Sequence, residues 1–209
     1  MVTWADFKKD LKASEGEITH MYLDSEGVVT VGVGNALSSA AEAQKLGFVN
    51  RATQKTATKE EIKSDYDAVK KQSKGSKASA YKQHTKLDLP TADIDTLLDT
   101  RIEGFKTSLK LKFPSFGTYP LTVQFALLDM AFNLGITGLL TKFPSFTKAI
   151  KAEDWEKAGK ESNRPQLSAQ RNATEKKWLD DAAKEKKRVE DEAKAKAKPP
   201  VKLSLPFLD

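Results

Sequence analysis

The stretch LTVQFALLDMAFNLG, Leu121 to Gly135, is apolar on nearly every side. A helix without a polar stripe has to be covered all round, so this segment belongs at the centre of a core, closed by glycine at its C-terminus. Asp129 and Asn133 are its polar exceptions. Four residues apart, they share one face and need polar partners inside the protein.

The other segments supply the cover. Trp4, Phe7 and Leu11 recur at helical spacing behind Thr3, a good N-cap, and one further turn along that stripe lands on Glu15. Gly16 then ends the helix. TATKEEIKSDYDAVKKQ is a second helix, with Thr58 and Glu61 as a capping box and Ile62, Tyr66 and Val69 as its stripe. A third spans about Asp93 to Leu111, with Ile94, Leu97, Leu98, Ile102 and Phe105 inward. Two more are expected at about 145–161 and 172–196. KFPSF occurs at Lys112–Phe116 and at Lys142–Phe146 and reads as two helix starts with proline at N1. Residues 38–54 show only a weak pattern, and SKGSKAS is an exposed loop or lobe junction.

Period-two patterning occurs in one place. ITHMYLD and VVTVGVG flank the turn signal Ser25–Gly27, which makes a β-hairpin. Val29, Val31 and Val33 point one way; Thr30, Gly32 and Gly34 point the other. The fold class is therefore α+β and mostly helical. Its expected organisation is a single two-lobed domain over 1–198, with a helix-plus-hairpin lobe over about 1–75, a helical lobe over about 93–198 and a C-terminal tail over 199–209. The closing KPPVKLSLPFLD reads as a linker, a docking strand or an appended remnant.

Composition excludes several chemistries. The 209 residues contain no cysteine, hence no disulfide, thiol nucleophile or zinc–thiolate cluster. His20 and His84 lack ligand-like spacing, so no metal and no cofactor is expected. No run reaches the roughly 20 apolar residues of a membrane span, and the N-terminus lacks the apolar core of a secretory signal. The net charge of +6 suits an anionic partner, although much of it lies in KKQSKGSKASAYKQHTK and the tail, where it also fits a solvated face. No aromatics interleave with these lysines, so nucleic acid is not the expected partner.

The hairpin carries the chemistry. Glu15, at the end of an apolar stripe, is expected to be desolvated, which favours the neutral acid, whereas Asp24 at a polar turn stays ionised. Two carboxylates in contrasting environments suit acid–base work on a glycosidic bond. The same residues also serve as an ordinary helix end and turn aspartate. The bare glycine face would admit a flat sugar ring close to the backbone, and Thr30 on that face could share a water with Asp24. Glu26, at the turn tip, is solvent-exposed and outside the chemistry.

With EG followed by YLDSEGVVTVGVG, and Glu15, Asp24 and Thr30 spaced by nine and six, the chain resembles the bacteriophage-type lysozymes, two-lobed muramidases that hydrolyse peptidoglycan. TKEEIKSDYDAVKK, LLDMAFNLGITGL, AIKAEDWEKAG and NRPQLSAQRNATEKKWL continue the likeness in order, over Trp4 to about Leu179. It implies an inverting glycoside hydrolase cleaving the β-1,4 bond between N-acetylmuramic acid and N-acetylglucosamine. Glu15 would be the general acid, and Asp24 with Thr30 would hold the attacking water. An arginine would orient the acid: Arg171 by the better match, Arg164 as the alternative. Gly32, Gly34, Phe132 and Asn133 would contact substrate, as would Asn35, which stands where many members have histidine. A non-catalytic glycan- or partner-binding module and a chitin-type glycosidase are the other readings. The setting would be a monomer made without a signal peptide and acting on periplasmic cell wall, as a phage endolysin or as the domain of an interbacterial effector with an immunity protein.

Overall fold

The computed structural model describes residues 2–197, so the expected tail at 199–209 lies outside the described residues. The fold is α+β and mostly helical, with a small antiparallel sheet and a larger helical part. The chain divides into two compact units, Met1–Leu111 and Lys112–Asp209. The division falls at the end of a long helix, not in the 75–93 region: the SKGSKAS loop connects two parts of one packed unit, so it is a surface loop and no lobe junction.

In the first unit α1 (Trp4–Glu15) has the expected N-cap at Thr3, and Asp6 completes a capping box: the Thr3 side chain accepts from the Asp6 N–H and the Asp6 carboxylate accepts from the Thr3 N–H. Phe7 and Leu11 are its buried residues. The strands β1 (Ile18–Leu23), β2 (Val29–Gly32) and β3 (Asn35–Ala36) form an antiparallel sheet in that order. Tyr22 faces Thr30 and Leu23 faces Val29, while the register shifts between Ile18 and Tyr22. Val29, Val31 and Val33 are buried core, each contributing about 1.5–3 kcal/mol.

Behind the sheet stand the one-turn α2 (Ala40–Ala43) and α3 (Lys59–Lys70), whose Thr58–Glu61 capping box forms as the spacing predicts. Two short strands, β4 (Val49–Asn50) and β5 (Leu87–Asp88), pair across 36 residues of intervening chain that no local pattern announces. Side chains hold that pairing. Arg51 grips Asp88 with two nitrogens at 2.9 Å, and buried Asp65 accepts from the Lys86 and Leu87 N–H groups at 2.8 and 2.9 Å. Burial raises the Asp65 carboxyl above its ordinary range against the pull of these bonds. α4 (Thr91–Lys112) buries Ile94, Leu98, Ile102 and Leu109.

The second unit is helical. α5 (Leu121–Lys142) keeps helical bonding past the expected stop, but Gly135, at φ 67°, interrupts it as a kink. At 22 residues α5 is the one helix among the described residues that is long and apolar enough to cross a membrane, but more than half of that window is buried as in a core helix, so no clear membrane-spanning segment is present. Val123, Phe125 to Phe132 and Leu139 are buried within the unit, so most of its apolar surface is core. α6 (Pro144–Lys151) starts with proline at its first turn as KFPSF predicts. The first KFPSF does not start a helix: it ends α4 and leads into a 3-10 turn at Phe116–Thr118. The single helix expected at 145–161 is two, α6 and α7 (Trp155–Glu161), parted by Glu153 at φ 53° and capped by Asp154. α8 (Ala169–Ala197) closes the unit with Trp178 edge-on to Phe125.

Candidate functional site

In the first unit the proposed acid and the turn aspartate flank β1. Glu15 is the last residue of α1, and Gly16, at φ 85°, stops the helix with its N–H on the Lys12 carbonyl at 2.9 Å. Only Gly is at ease at that φ, so the sharp exit after Glu15 is written into the sequence. The expected desolvation of Glu15 is not found: Glu15 is exposed. Phe7 and Leu11 are the buried residues of α1, so its apolar stripe ends a turn short of Glu15.

Asp24 is fixed by the turn it starts. Its Oδ1 accepts from the Glu26 N–H at 3.0 Å and the Val28 N–H at 2.8 Å, and its carbonyl accepts from Gly27. Oδ2 has no hydrogen bond among the described residues. Thr30, buried at 2% exposure, donates its hydroxyl to the Val28 carbonyl at 3.1 Å. The Val28 residue therefore ties both side chains, and the threonine oxygen keeps acceptor capacity. Glu26 is exposed at the tip as expected.

Tyr22, on the strand between Glu15 and Asp24, registers both. Burial pushes its phenol up, the Asp24 charge adds to that, Arg101 opposes it and Glu15 adds a little more. Arg101, on α4, was not singled out in the sequence. Burial lowers its guanidinium while the Glu15 charge raises it, so the two lie within electrostatic reach of each other in this unit. Its Nη1 donates to the Val33 and Gly34 carbonyls at 3.1 and 2.5 Å. The signal was present, since Arg101 follows Ile94 by seven residues on the stripe that faces the sheet.

These contacts correct the reading of the bare glycine face. A Cβ on Gly34 would stand 3.0 Å from Arg101 Nη1, and one on Gly32 would stand 3.3 Å from the Ile94 side chain. Both glycines have positive φ, 67° and 68°. They are required by backbone shape and by α4 lying over them, so Gly32 at least is not an open floor for a sugar. Asn35 opens β3 opposite Val31 and is partly exposed.

In the second unit the two candidate arginines share one buried cluster. Arg164, fully buried, donates to the carboxylates of Asp129 and Glu175. The Asn172 side chain clasps its backbone, accepting from the N–H and donating to the carbonyl, each at 2.9 Å. Arg171 forks onto Asp129 through Nε and Nη2, at 3.0 and 2.8 Å from Oδ1. Asp129 thereby gains the partners its position demanded. Asn133 does not, and its Oδ1 is buried without a hydrogen bond. Burial pushes Glu175 up to about 8, with Arg164 pulling the other way. Both remaining polar atoms at this contact, Glu175 Oε1 and Arg164 Nε, are unpartnered. Glu175 was missed although it lies one turn before Trp178 and Leu179, on the apolar stripe of α8. Phe132 is 7% exposed and packs as core.

Among the described residues no group of three or more His, Asp or Glu is arranged to hold a metal. His20 is buried with Nε2 2.9 Å from the Ala78 carbonyl, and burial lowers its pKa. Compared with models of known families and with curated proteins, the chain matches none.

Proposed function

We propose that the protein is a muramidase, a glycoside hydrolase cleaving the β-1,4 bond of peptidoglycan between N-acetylmuramic acid and N-acetylglucosamine. The observation that carries the reading is the Asp24–Val28–Thr30 arrangement. One carboxylate oxygen is used up by the turn, the other has no hydrogen bond among the described residues, and a buried hydroxyl is tied to the same residue. That combination suits the holding of one water. Glu15, delivered to the start of β1 by a glycine-terminated helix, is the proton donor. The likeness of this Glu–Asp–Thr hairpin to the phage-type lysozymes supports the same roles.

In the reaction Glu15 gives its proton to the glycosidic oxygen as the bond to the anomeric carbon breaks. Water attacks that carbon from the opposite face, and Asp24 takes up the water's proton while Thr30 orients it. The anomeric centre is inverted, and no covalent glycosyl-enzyme forms. Cell wall is anionic, which agrees with the net charge of +6. The setting is cell wall reached from the cytoplasm, as an endolysin or an effector domain.

A second reading, a glycan- or partner-binding module without turnover, is favoured by one observation: Glu15 is exposed, whereas a general acid is usually partly desolvated. Release of reducing sugar from purified sacculi separates the two. Turnover that disappears in Glu15→Gln supports the enzyme, whereas sacculus binding without turnover in the parent protein leaves the module.

A further inference from the structure

Between Asp67 and Asp88 the chain holds six lysines (Lys70, Lys71, Lys74, Lys77, Lys82 and Lys86) and no carboxylate. All six are exposed, and none pairs with a carboxylate among the described residues. Elsewhere in the same unit lysines are mixed: Lys8 pairs with Asp99, Lys12 with Asp95 and Glu17, Lys63 with Asp67 and Lys106 with Glu103, while Lys9, Lys55, Lys59 and Lys110 make no ion pair among the described residues. Positive charge is therefore dense on this segment, with Lys82 in electrostatic reach of Asp88 and Lys86 of Glu61 and Asp65, and no carboxylate of the segment itself offsets it.

That segment is packed in place. Tyr81 is 2% exposed and donates to the Ser73 carbonyl at 2.8 Å, His20 meets the Ala78 carbonyl, and Asp65 accepts from the Lys86 and Leu87 N–H groups. Two of the lysines lie on the turn that holds Asp24. Lys70 Nζ donates to the Gly27 carbonyl at 2.9 Å, and the Lys74 stem covers Gly27 so closely that a Cβ there would be 3.5 Å from Lys74 Cδ. A lysine-rich segment with no carboxylate of its own raises the local concentration of polyanions.

We propose that this lysine face is a binding surface for an anionic peptidoglycan strand, whose peptide-stem carboxylates it holds alongside the Asp24 turn. The identity of the polymer rests on the muramidase reading; the need for a polyanion rests on the charge arrangement. A nucleic acid fits less well, because residues 68–87 include no arginine, phenylalanine or tryptophan and their one tyrosine, Tyr81, is buried and offers no stacking platform.

The test is co-sedimentation of the full chain, carrying Glu15→Gln to prevent digestion, with purified sacculi from about 20 mM to about 300 mM salt, a range over which screening of exposed charges becomes strong. Affinity should fall at least tenfold across that range. The triple variant K71E/K77E/K82E, whose substituted side chains make no hydrogen bond or ion pair among the described residues, should lose at least tenfold at low salt and show a flattened salt response, with an unchanged thermal unfolding curve. Equal sedimentation of triple variant and parent overturns the inference, as does tighter binding of the parent to duplex DNA than to sacculi. Lysis by the protein with Glu15 intact is scored separately. Lysine-dependent sedimentation without lysis removes the enzymatic reading alone, and lysis with lysine-independent sedimentation removes this inference alone.

Discussion

Glu175 should make the second unit less stable as the solution becomes more basic. The folded protein holds its proton up to about pH 8, whereas the unfolded chain releases it near the ordinary value of 4.5. Between those values the folded state binds more protons, so stability is fully present below about pH 4.5 and declines as pH rises towards 8. Each pH unit in that window is worth up to about 1.4 kcal/mol, so the decline is on the order of a few kcal/mol. Glu175→Gln mimics the protonated side chain and removes this dependence. The assay is denaturant unfolding from pH 5 to pH 9 in a Trp4→Phe background, where the remaining fluorophores, Trp155 and Trp178, both report on the second unit. Subtracting the variant from the parent cancels other titrating groups, including His20, whose lowered pKa acts in the opposite direction. The difference should slope downward from pH 5 and level off above 8. A flat difference would refute the claim that burial, the largest influence on Glu175, outweighs its pairing with Arg164.

Asp24→Asn retains an acceptor for the Glu26 and Val28 N–H groups, so thermal unfolding should be nearly unchanged while sacculus lysis falls about 10²–10⁴-fold, the usual worth of a lost general base. Gly34→Ala puts a side chain at φ 68° against Arg101 and should cost about 1–3 kcal/mol in denaturant unfolding; a neutral result would remove the close approach of α4. Asp65→Ala strands the Lys86 and Leu87 N–H groups in a buried place and should cost about 1–3 kcal/mol, with faster amide exchange across β4 and β5.

What the sequence disclosed was local. Thr3 as an N-cap, Thr58 with Glu61 and the Ser25–Gly27 turn each act on chain within a few residues, so their signals sit where their effects are felt. The β4–β5 pairing was invisible because it depends on Arg51 reaching Asp88, two residues that mean nothing alone. Glu15 misled for a related reason: a stripe shows which way a residue points but not whether anything covers it. Gly32 and Gly34 were correctly seen as positions that lack side chains for a cause. The cause was assigned to a ligand when the nearer one was α4, carrying Ile94 and Arg101. The partners of Asp129 were demanded by its place on an apolar helix, and only the fold could say that they were Arg164 and Arg171.

The most direct test of the central claim is the configuration of the first product. Proton NMR of fresh digests of purified peptidoglycan fragments should show the α-anomer of N-acetylmuramic acid appearing first, before mutarotation, and no product from the Glu15→Gln protein. A β-anomer formed first would contradict a water held by Asp24 and Thr30 on the face opposite the leaving group, and undiminished product from Glu15→Gln would contradict Glu15 as the acid.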